Sequence, residues 1–169
     1  MALENKLKQP KTIIAPLSFF DVDYTDFIEK AGEVLGFPLV IKNCCGSFGE
    51  QVHLCRNVNE ALKYVTREPF LLQEYIECGG EDVRIEVVGN RVVAAMKRKN
   101  EHDFRSNITN GGTAEKYIPT EKECEIALTA CRELGLTFGG VDIMSGDTLC
   151  EVNSNAHIMN IMRSSGVDV

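Results

Sequence analysis

Apolar and polar residues alternate regularly over residues 82–88, DVRIEVV. A period of two predicts a β-strand with one buried face and one solvent-directed face. Gly89-Asn90 is a typical tight turn, so the chain is expected to return in a second strand from Arg91 to Lys97. The polar face of this predicted hairpin carries Asp82, Arg84 and Glu86.

Three segments instead have helical spacing, with apolar residues three and four positions apart. The first is predicted from about Tyr24 to Leu35 and ends at Gly36. The other two begin with a capping-box pattern, Asn57 with Glu60 and Thr120 with Glu123. Further short apolar runs predict strands at 11–15, 38–42, 51–55 and 70–75.

Two features bear on domain organisation. Gly79-Gly80 interrupts the pattern after the fourth of these runs and is a candidate boundary between two lobes. Residues 100–119 are long and polar, and a loop of this length is typically functional or disordered.

A second hairpin is predicted from 141 to 152, where two short apolar runs flank Ser145-Gly146-Asp147-Thr148. If the loop is Gly146-Asp147, residue 145 faces 148 and Asp142 faces Glu151, so two carboxylates repel each other at roughly 5 Å between Cβ atoms. Asn153 projects from the same face. These oxygen donors suit Mg²⁺, but solvation of the two carboxylates or pairing with Arg or Lys is equally open at this point. A proton shared between them is the less favoured third alternative, because Asn153 adds an acceptor that such a pair does not need.

Composition narrows the function classes. A net charge of −7 and a pI near 5.0 argue against general nucleic-acid binding. Apolar runs are too short for a membrane span, and the N-terminus has no secretion signal, so a cytoplasmic protein is expected. The seven cysteines contain no C-x-x-C pair and are expected to be reduced, although Cys44-Cys45 could be reactive.

Two further segments could bind an anion. Lys42 ends a predicted strand and is followed by Gly46, Ser47 and Gly49. Glycines allow backbone N–H groups to approach phosphate, but a plain turn with a surface lysine explains the segment as well. Arg105, in the long loop, could bind phosphate or carboxylate bidentately, and a solvated loop is the alternative.

In order along the chain, these segments resemble the ATP-grasp family, and most closely its RimK-type branch of glutamate and related amino-acid ligases. The resemblance rests on PLVIK, GSFG, LLQEYIECGGEDVRIEVVGNRVVAAMKR, DFRSNITNGGTA, GVDIM and CEVN, and covers roughly residues 10–169. It implies an α+β fold of two lobes with largely antiparallel sheets enclosing ATP. The expected division is a remnant or linker at 1–11, a small lobe at 12–76 and a C-terminal lobe with the metal site at 77–169.

The resemblance also implies roles for individual residues. The implied nucleotide contacts are Lys42, Gly46, Ser47, Gly49, Gln73, Glu74, Tyr75, Ile76, Asp82, Arg105, Ser106 and Asn107. The implied ligands of Mg²⁺ (or Mn²⁺) are Asp142, Glu151 and Asn153. Arg105 and Asn107 would act beside the phosphates, and Arg98 is the candidate for binding the acyl phosphate or the acceptor's carboxylate.

The implied reaction is ATP-dependent ligation of a carboxylate to an amine through an acyl phosphate, with an amino acid and a peptide or protein terminus as candidate substrates. The alternative is an Mg-ATP-binding module that is inactive alone, because family members usually carry a further domain before this one. Many relatives have Asn-Ala-Ser-Pro-Gly where this chain has Asn153-Ser154-Asn155-Ala156-His157. That change leaves the amine substrate open.

Overall fold

The computed structural model describes residues 7–46 and 49–156 and the separate positions 159, 162, 163 and 166. The chain forms two compact units, an N-terminal unit of Pro10–Ile76 and a C-terminal unit of Glu77–Val169 together with Met1–Gln9. In the second, the Lys8 carbonyl accepts a hydrogen bond from the Leu149 amide at 2.9 Å. Each unit combines an antiparallel sheet with helices, which confirms the expected α+β class.

The N-terminal unit contains a four-stranded sheet in the order β1-β4-β2-β3. Its strands are β1 (Thr12–Ile14), β2 (Leu39–Asn43), β3 (Val52–Cys55) and β4 (Phe70–Glu74). Helices α1 (Thr25–Leu35) and α2 (Val58–Leu62) pack on it through Ile28, Ala31, Leu35 and Ala61. Asn57 caps α2 as predicted, but Glu60 accepts from the Arg56 amide at 2.8 Å, so the capping box is only half formed.

The C-terminal unit contains a five-stranded sheet in the order β7-β6-β5-β8-β9. Its strands are β5 (Glu81–Val88), β6 (Arg91–Lys99), β7 (Thr113–Lys116), β8 (Phe138–Met144) and β9 (Thr148–Asn153). Helix α3 (Glu121–Glu133) begins with a complete Thr120/Glu123 capping box. Its apolar stripe of Ile126, Ala127, Ala130 and Cys131 covers one face of the sheet. The opposite face carries the polar residues of the alternating pattern.

The long polar segment after β6 is more ordered than the sequence indicated. It contains a short 3₁₀ helix, Ile108–Asn110, and strand β7, which pairs with β6. Asn100 is 4% exposed and holds the segment: its side chain accepts from the amides of His102 and Asp103 and donates to the Asn110 carbonyl. Of the two expectations for this segment, functional or disordered, disorder was therefore wrong, because a buried side chain supplies backbone hydrogen bonds that the sequence pattern does not reveal.

The β8-β9 hairpin places Asp142 opposite Glu151, as predicted, but its loop is longer than predicted and the pairing contains a β-bulge. Met144 pairs with Thr148, so the loop is the three residues 145–147, and a β-bulge after Asp142 restores the pairing with Glu151. Gly146 and Asp147 both have positive φ, at 67° and 58°. A three-residue loop that ends in this conformation is common where a bulge follows.

Within the described part of the chain, no helix is both long enough and apolar enough to cross a membrane.

Candidate functional site

The polar face of the five-stranded sheet holds a cluster of buried charges. Strand register places Asp82 opposite Arg98, and Arg84 opposite Asp142, which in turn faces Glu151. Most of these side chains are removed from solvent: Arg98 is 4% exposed and Asp142 3%. Buried charges at this density require pairing, because an isolated charge away from water is very unfavourable.

Asp142 is bound by two arginines. Arg84 donates from Nε to Oδ1 and from Nη2 to Oδ2, both at 2.6 Å. Arg98 Nη2 lies 2.9 Å from Oδ2 of the same carboxylate. The Arg98 guanidinium also forms a bidentate pair with Asp82, with Nε 2.7 Å from Oδ1. The repulsion expected between Asp142 and Glu151 is thus offset here by arginine.

Asn153 links the same arginine to Glu151. In the amide orientation that satisfies both of its ends, its oxygen accepts from Arg84 Nη2 at 3.0 Å and its nitrogen donates to Glu151 Oε1 at 3.0 Å. Glu151 itself is exposed. The three residues predicted as metal ligands therefore lie together, connected through one guanidinium.

The pKa values of the two aspartates move in opposite directions. Burial raises the pKa of Asp82 above its ordinary value, and its hydrogen bond to Arg98 only partly offsets this. Burial acts on Asp142 as well, but the nearby Arg98 and Arg84 together outweigh it and lower the pKa of that carboxyl. The two arginines therefore favour the ionised form of the Asp142 carboxyl.

The Arg105 segment is held next to this cluster by its own hydrogen bonds. The Arg105 guanidinium pairs with Asp103, with Nη2 2.7 Å from Oδ2, and the buried Ser106 acts to lower the pKa of Asp82. Asn107 ends the segment, and its carbonyl accepts from the amides of Asn110 and Gly112. Ser106 is thus brought to the polar face, while Arg105 has an intraloop partner.

The nucleotide-binding residues predicted in the N-terminal unit lie on its central strands and following turns. Lys42 on β2 donates from Nζ to Gln73 Oε1 of β4 at 2.7 Å. Glu74 Oε2 accepts from the Lys11 amide at 3.1 Å, and Tyr75 and Ile76 follow directly and are half-buried. Gly46 is exposed and Gly49 half-buried in the turn after β2, whereas Ser47, like His157, lies outside the described residues.

The sequence matches the RimK-like ATP-grasp domain over residues 1–169. The chain belongs to the RimK-like ATP-grasp family. Two relatives illustrate the match. A probable alpha-L-glutamate ligase of Trichodesmium erythraeum is 40% identical over an alignment of 167 positions, which covers 92% of this chain and 54% of that protein. A ribosomal protein bS6–L-glutamate ligase of Escherichia fergusonii is 40% identical over an alignment of 157 positions, which covers 87% of this chain and 51% of that protein.

The fold also matches solved ATP-grasp structures. The ATP-grasp ligase PsnB, complexed with minimal precursor, Mg and ADP, superposes with a TM-score of 0.72 at 16% identity. The match covers 99% of this chain and 52% of that one. The chain thus spans about half the length of the curated relatives and of this structural neighbour.

The donor set of this RimK-like ATP-grasp domain fits a hard divalent cation. The ligands available are the side-chain oxygens of Asp142, Glu151 and Asn153. The Arg84 guanidinium already binds two of these side chains, so the site attracts a positive group. No three His, Cys, Asp or Glu side chains among the described residues come together as a metal site. A cation bound to Asp142 and Glu151 would therefore take its third protein ligand from the Asn153 amide.

Two residues of the polar face were not among the predicted site residues. Arg84 bridges Asp142 and Asn153, and Glu86, two positions further along β5, is completely buried. The signal that could have revealed both was the alternation over residues 82–88, because it places them on the same face as Asp82. Their importance depends on contacts with β8 and β9, which the alternation does not show.

Proposed function

We propose that this chain is the nucleotide- and metal-binding domain of an ATP-dependent carboxylate–amine ligase. The observation that carries the proposal is the meeting of Asp142, Glu151 and Asn153 with two arginines on one buried polar face. Family membership and the Mg and ADP named with the neighbour PsnB support it. The proposed nucleotide contacts are Lys42, Gly46, Ser47, Gly49, residues 73–76, Asp82 and residues 105–107.

The proposed reaction has two steps. An oxygen of the substrate carboxylate attacks the γ-phosphorus of ATP, and the bond to ADP breaks, which gives an acyl phosphate. The nitrogen of the amine then attacks the acyl carbon, phosphate leaves with the bonding electron pair, and the nitrogen loses a proton. Because phosphoryl transfer depends mainly on positioning and charge neutralisation, a cluster of cations and oriented donors is the machinery it needs.

Each part of the site has a proposed task. Mg²⁺ (or Mn²⁺), held by Asp142, Glu151 and Asn153, would neutralise phosphate charge. Lys42 supplies a positive charge to the nucleotide phosphates, and Arg105 with Asn107 orients the transferred group and the acyl substrate. Arg98, which is fixed between Asp82 and Asp142, is the proposed contact for the acyl phosphate or the acceptor carboxylate.

The proposed amine is L-glutamate or a similar amino acid, and the proposed carboxylate is a peptide or protein terminus. The names of the relatives specify glutamate, and one specifies a ribosomal protein as the acceptor. All seven cysteines are free thiols, as expected in a reducing compartment, so we place the protein in the cytoplasm.

A second candidate function is Mg-ATP binding without turnover by this chain alone. It is favoured by the chain's length, which is about half that of its relatives. Measuring ADP release after addition of Mg-ATP, L-glutamate and acidic peptides distinguishes the two candidate functions. ADP release that depends on both substrates supports the ligase; nucleotide binding with no release supports the binding module.

The metal site is tested by Glu151→Gln. Because Glu151 is exposed, the change should leave folding intact, yet we expect Mg-ATP binding to weaken by at least the roughly tenfold effect of losing an outer-shell partner. Isothermal titration of Mg-ATP into the purified chain measures it. Glu115→Gln, an exposed glutamate on β7, is the matched control. Equal affinities for the two variants would rule out Glu151 as a ligand.

A further inference from the structure

Arg84 occupies the centre of the proposed metal-ligand set. Its guanidinium contacts both oxygens of Asp142 at 2.6 Å and the amide oxygen of Asn153 at 3.0 Å. Asn153 in turn contacts Glu151. A divalent cation bound by these residues would require some of the same oxygen atoms. Arg84 and the metal therefore compete for one set of ligands.

Asp142 keeps a second partner if Arg84 leaves. Arg98 Nη2 remains 2.9 Å from Oδ2, whereas Oδ1 accepts from Arg84 Nε at 2.6 Å. A carboxylate has about four lone-pair positions, so one oxygen can keep its arginine while the other binds a cation. Release of Arg84 alone would therefore open the ligand set.

Glu86 offers Arg84 another acceptor. It is 0% exposed, and neither of its carboxylate oxygens has a hydrogen-bond partner among the described residues. It lies on the same face of β5, two positions from Arg84, at a Cα separation of about 7 Å, which an arginine side chain can span. Its cross-strand neighbours are Ala94 and Gly140.

Small neighbours leave Glu86 without a partner on either side. A Cβ atom at Gly140 would lie 3.1 Å from Glu86 Oε1 and 2.8 Å from the Cβ of Ala156, so the carboxylate fills the space above this glycine. A buried carboxylate without hydrogen bonds destabilises a folded protein. A second state in which Glu86 is paired accounts for its presence.

We propose that Arg84 is a two-position switch, bound to Asp142 and Asn153 when the metal is absent and to Glu86 when the metal is bound. The guanidinium thus acts as the resident cation of the ligand set and moves two residues along β5 when Mg²⁺ or Mn²⁺ replaces it. This inference rests on the metal site of the proposed function. Arg84 and Glu86 are positioning residues, since they control access to the ligands.

The test is Mn²⁺ binding without nucleotide, measured from the electron paramagnetic resonance signal of free Mn²⁺. Arg84→Met removes the competitor, so Mn²⁺ should bind more tightly, by about fivefold or more, the usual lower limit for coupled sites. Glu86→Gln removes the alternative acceptor and should weaken binding by a similar factor of about five. Unchanged or weaker binding by Arg84→Met overturns the proposal.

The double variant separates a switch from simple attraction between Glu86 and the metal. If Glu86 acts through Arg84, the effect of Glu86→Gln disappears in the Arg84→Met background. If Glu86→Gln weakens binding equally in both backgrounds, its charge acts on the metal directly and the switch is wrong. Glu115→Gln, which also removes one negative charge from this unit, should leave Mn²⁺ affinity unchanged.

Two further measurements are controls for effects of the substitutions on folding. Glu86→Gln should raise the melting temperature of the metal-free protein, whereas a lower value would mean that Glu86 already has a stabilising partner and would overturn the proposal. Arg84→Gln replaces Arg84→Met if the latter does not fold. If neither the wild-type protein nor any variant binds Mn²⁺ even with ATP, the proposed metal site is wrong, and so is the Arg84 switch.

Discussion

Both faces of the five-stranded sheet contain fully buried side chains, but the two faces are stabilised by different interactions. On one face, Ile85 is 0% exposed and packs against α3; on the other, its neighbour Glu86 is also 0% exposed, among charged side chains. The apolar face is stabilised by close packing of side chains, whereas the polar face is stabilised by ion pairs, from which Glu86 is left out. The comparison shows that burial alone does not indicate a structural core.

The largest effect is expected from Arg98→Met on the polar face. This change leaves Asp82 without its bidentate partner and removes one of two arginines from Asp142. Breaking a buried ion pair by removing one partner costs about 3–5 kcal/mol. Urea denaturation measures it. A loss below 1 kcal/mol would mean that solvent or another cation reaches these aspartates and that the two faces differ less than proposed.

On the apolar face, Ile85→Ala should lower the free energy of unfolding by about 2–5 kcal/mol, because it leaves a cavity against α3. The loss should be the same at low and high salt, since no charge is involved. The same denaturation series at two salt concentrations checks this. A strong salt dependence would contradict the assignment of this face as a purely apolar core.

Glu86→Gln should have the opposite sign and raise the free energy of unfolding near pH 7 by about 1 kcal/mol or more, because it removes a buried charge, although the neutral amide stays without a partner. Burial raises the pKa of Glu86, although Arg84 and Arg98 oppose this and Asp142 adds to it. A raised pKa favours the folded state below the group's ordinary pKa near 4.5, and this stability is lost as pH rises through the higher value. The gain from Glu86→Gln should therefore grow from pH 4 upward, as denaturation at a series of pH values can show. A gain independent of pH would contradict a titrating Glu86.

The smallest effect is expected at the rim, where Lys97 pairs with Glu81 at 2.7 Å and both side chains are about one-third exposed. Lys97→Met should change the free energy of unfolding by less than about 1 kcal/mol, because exposed ion pairs contribute little. Comparison with Arg98→Met under identical conditions is the measurement. Similar losses in the two variants would remove the distinction between buried and exposed pairs.

Local pattern was sufficient for most elements of secondary structure. The three helices, the Thr120/Glu123 capping box and the hairpin of β5 and β6 follow from spacing and capping residues that act within a few positions. Strand β7 and the 3₁₀ helix were missed, because their backbone hydrogen bonds depend on Asn100 and on an edge of β6. These contacts join residues 10 to 20 positions apart, a separation that spacing and capping patterns do not cover.

The sequence by itself determined the polar face of β5, the pairing partner of Asp142 and, through ordered motifs, membership of the RimK-like ATP-grasp family. Alternation with a period of two is a local property, so it can be read without the fold. Only the tertiary structure decided that Arg84 lies between Asp142 and Asn153 and that Glu86 is buried without a partner. These facts depend on strand order and on a bulge in β9, which bring side chains from three strands within hydrogen-bonding distance.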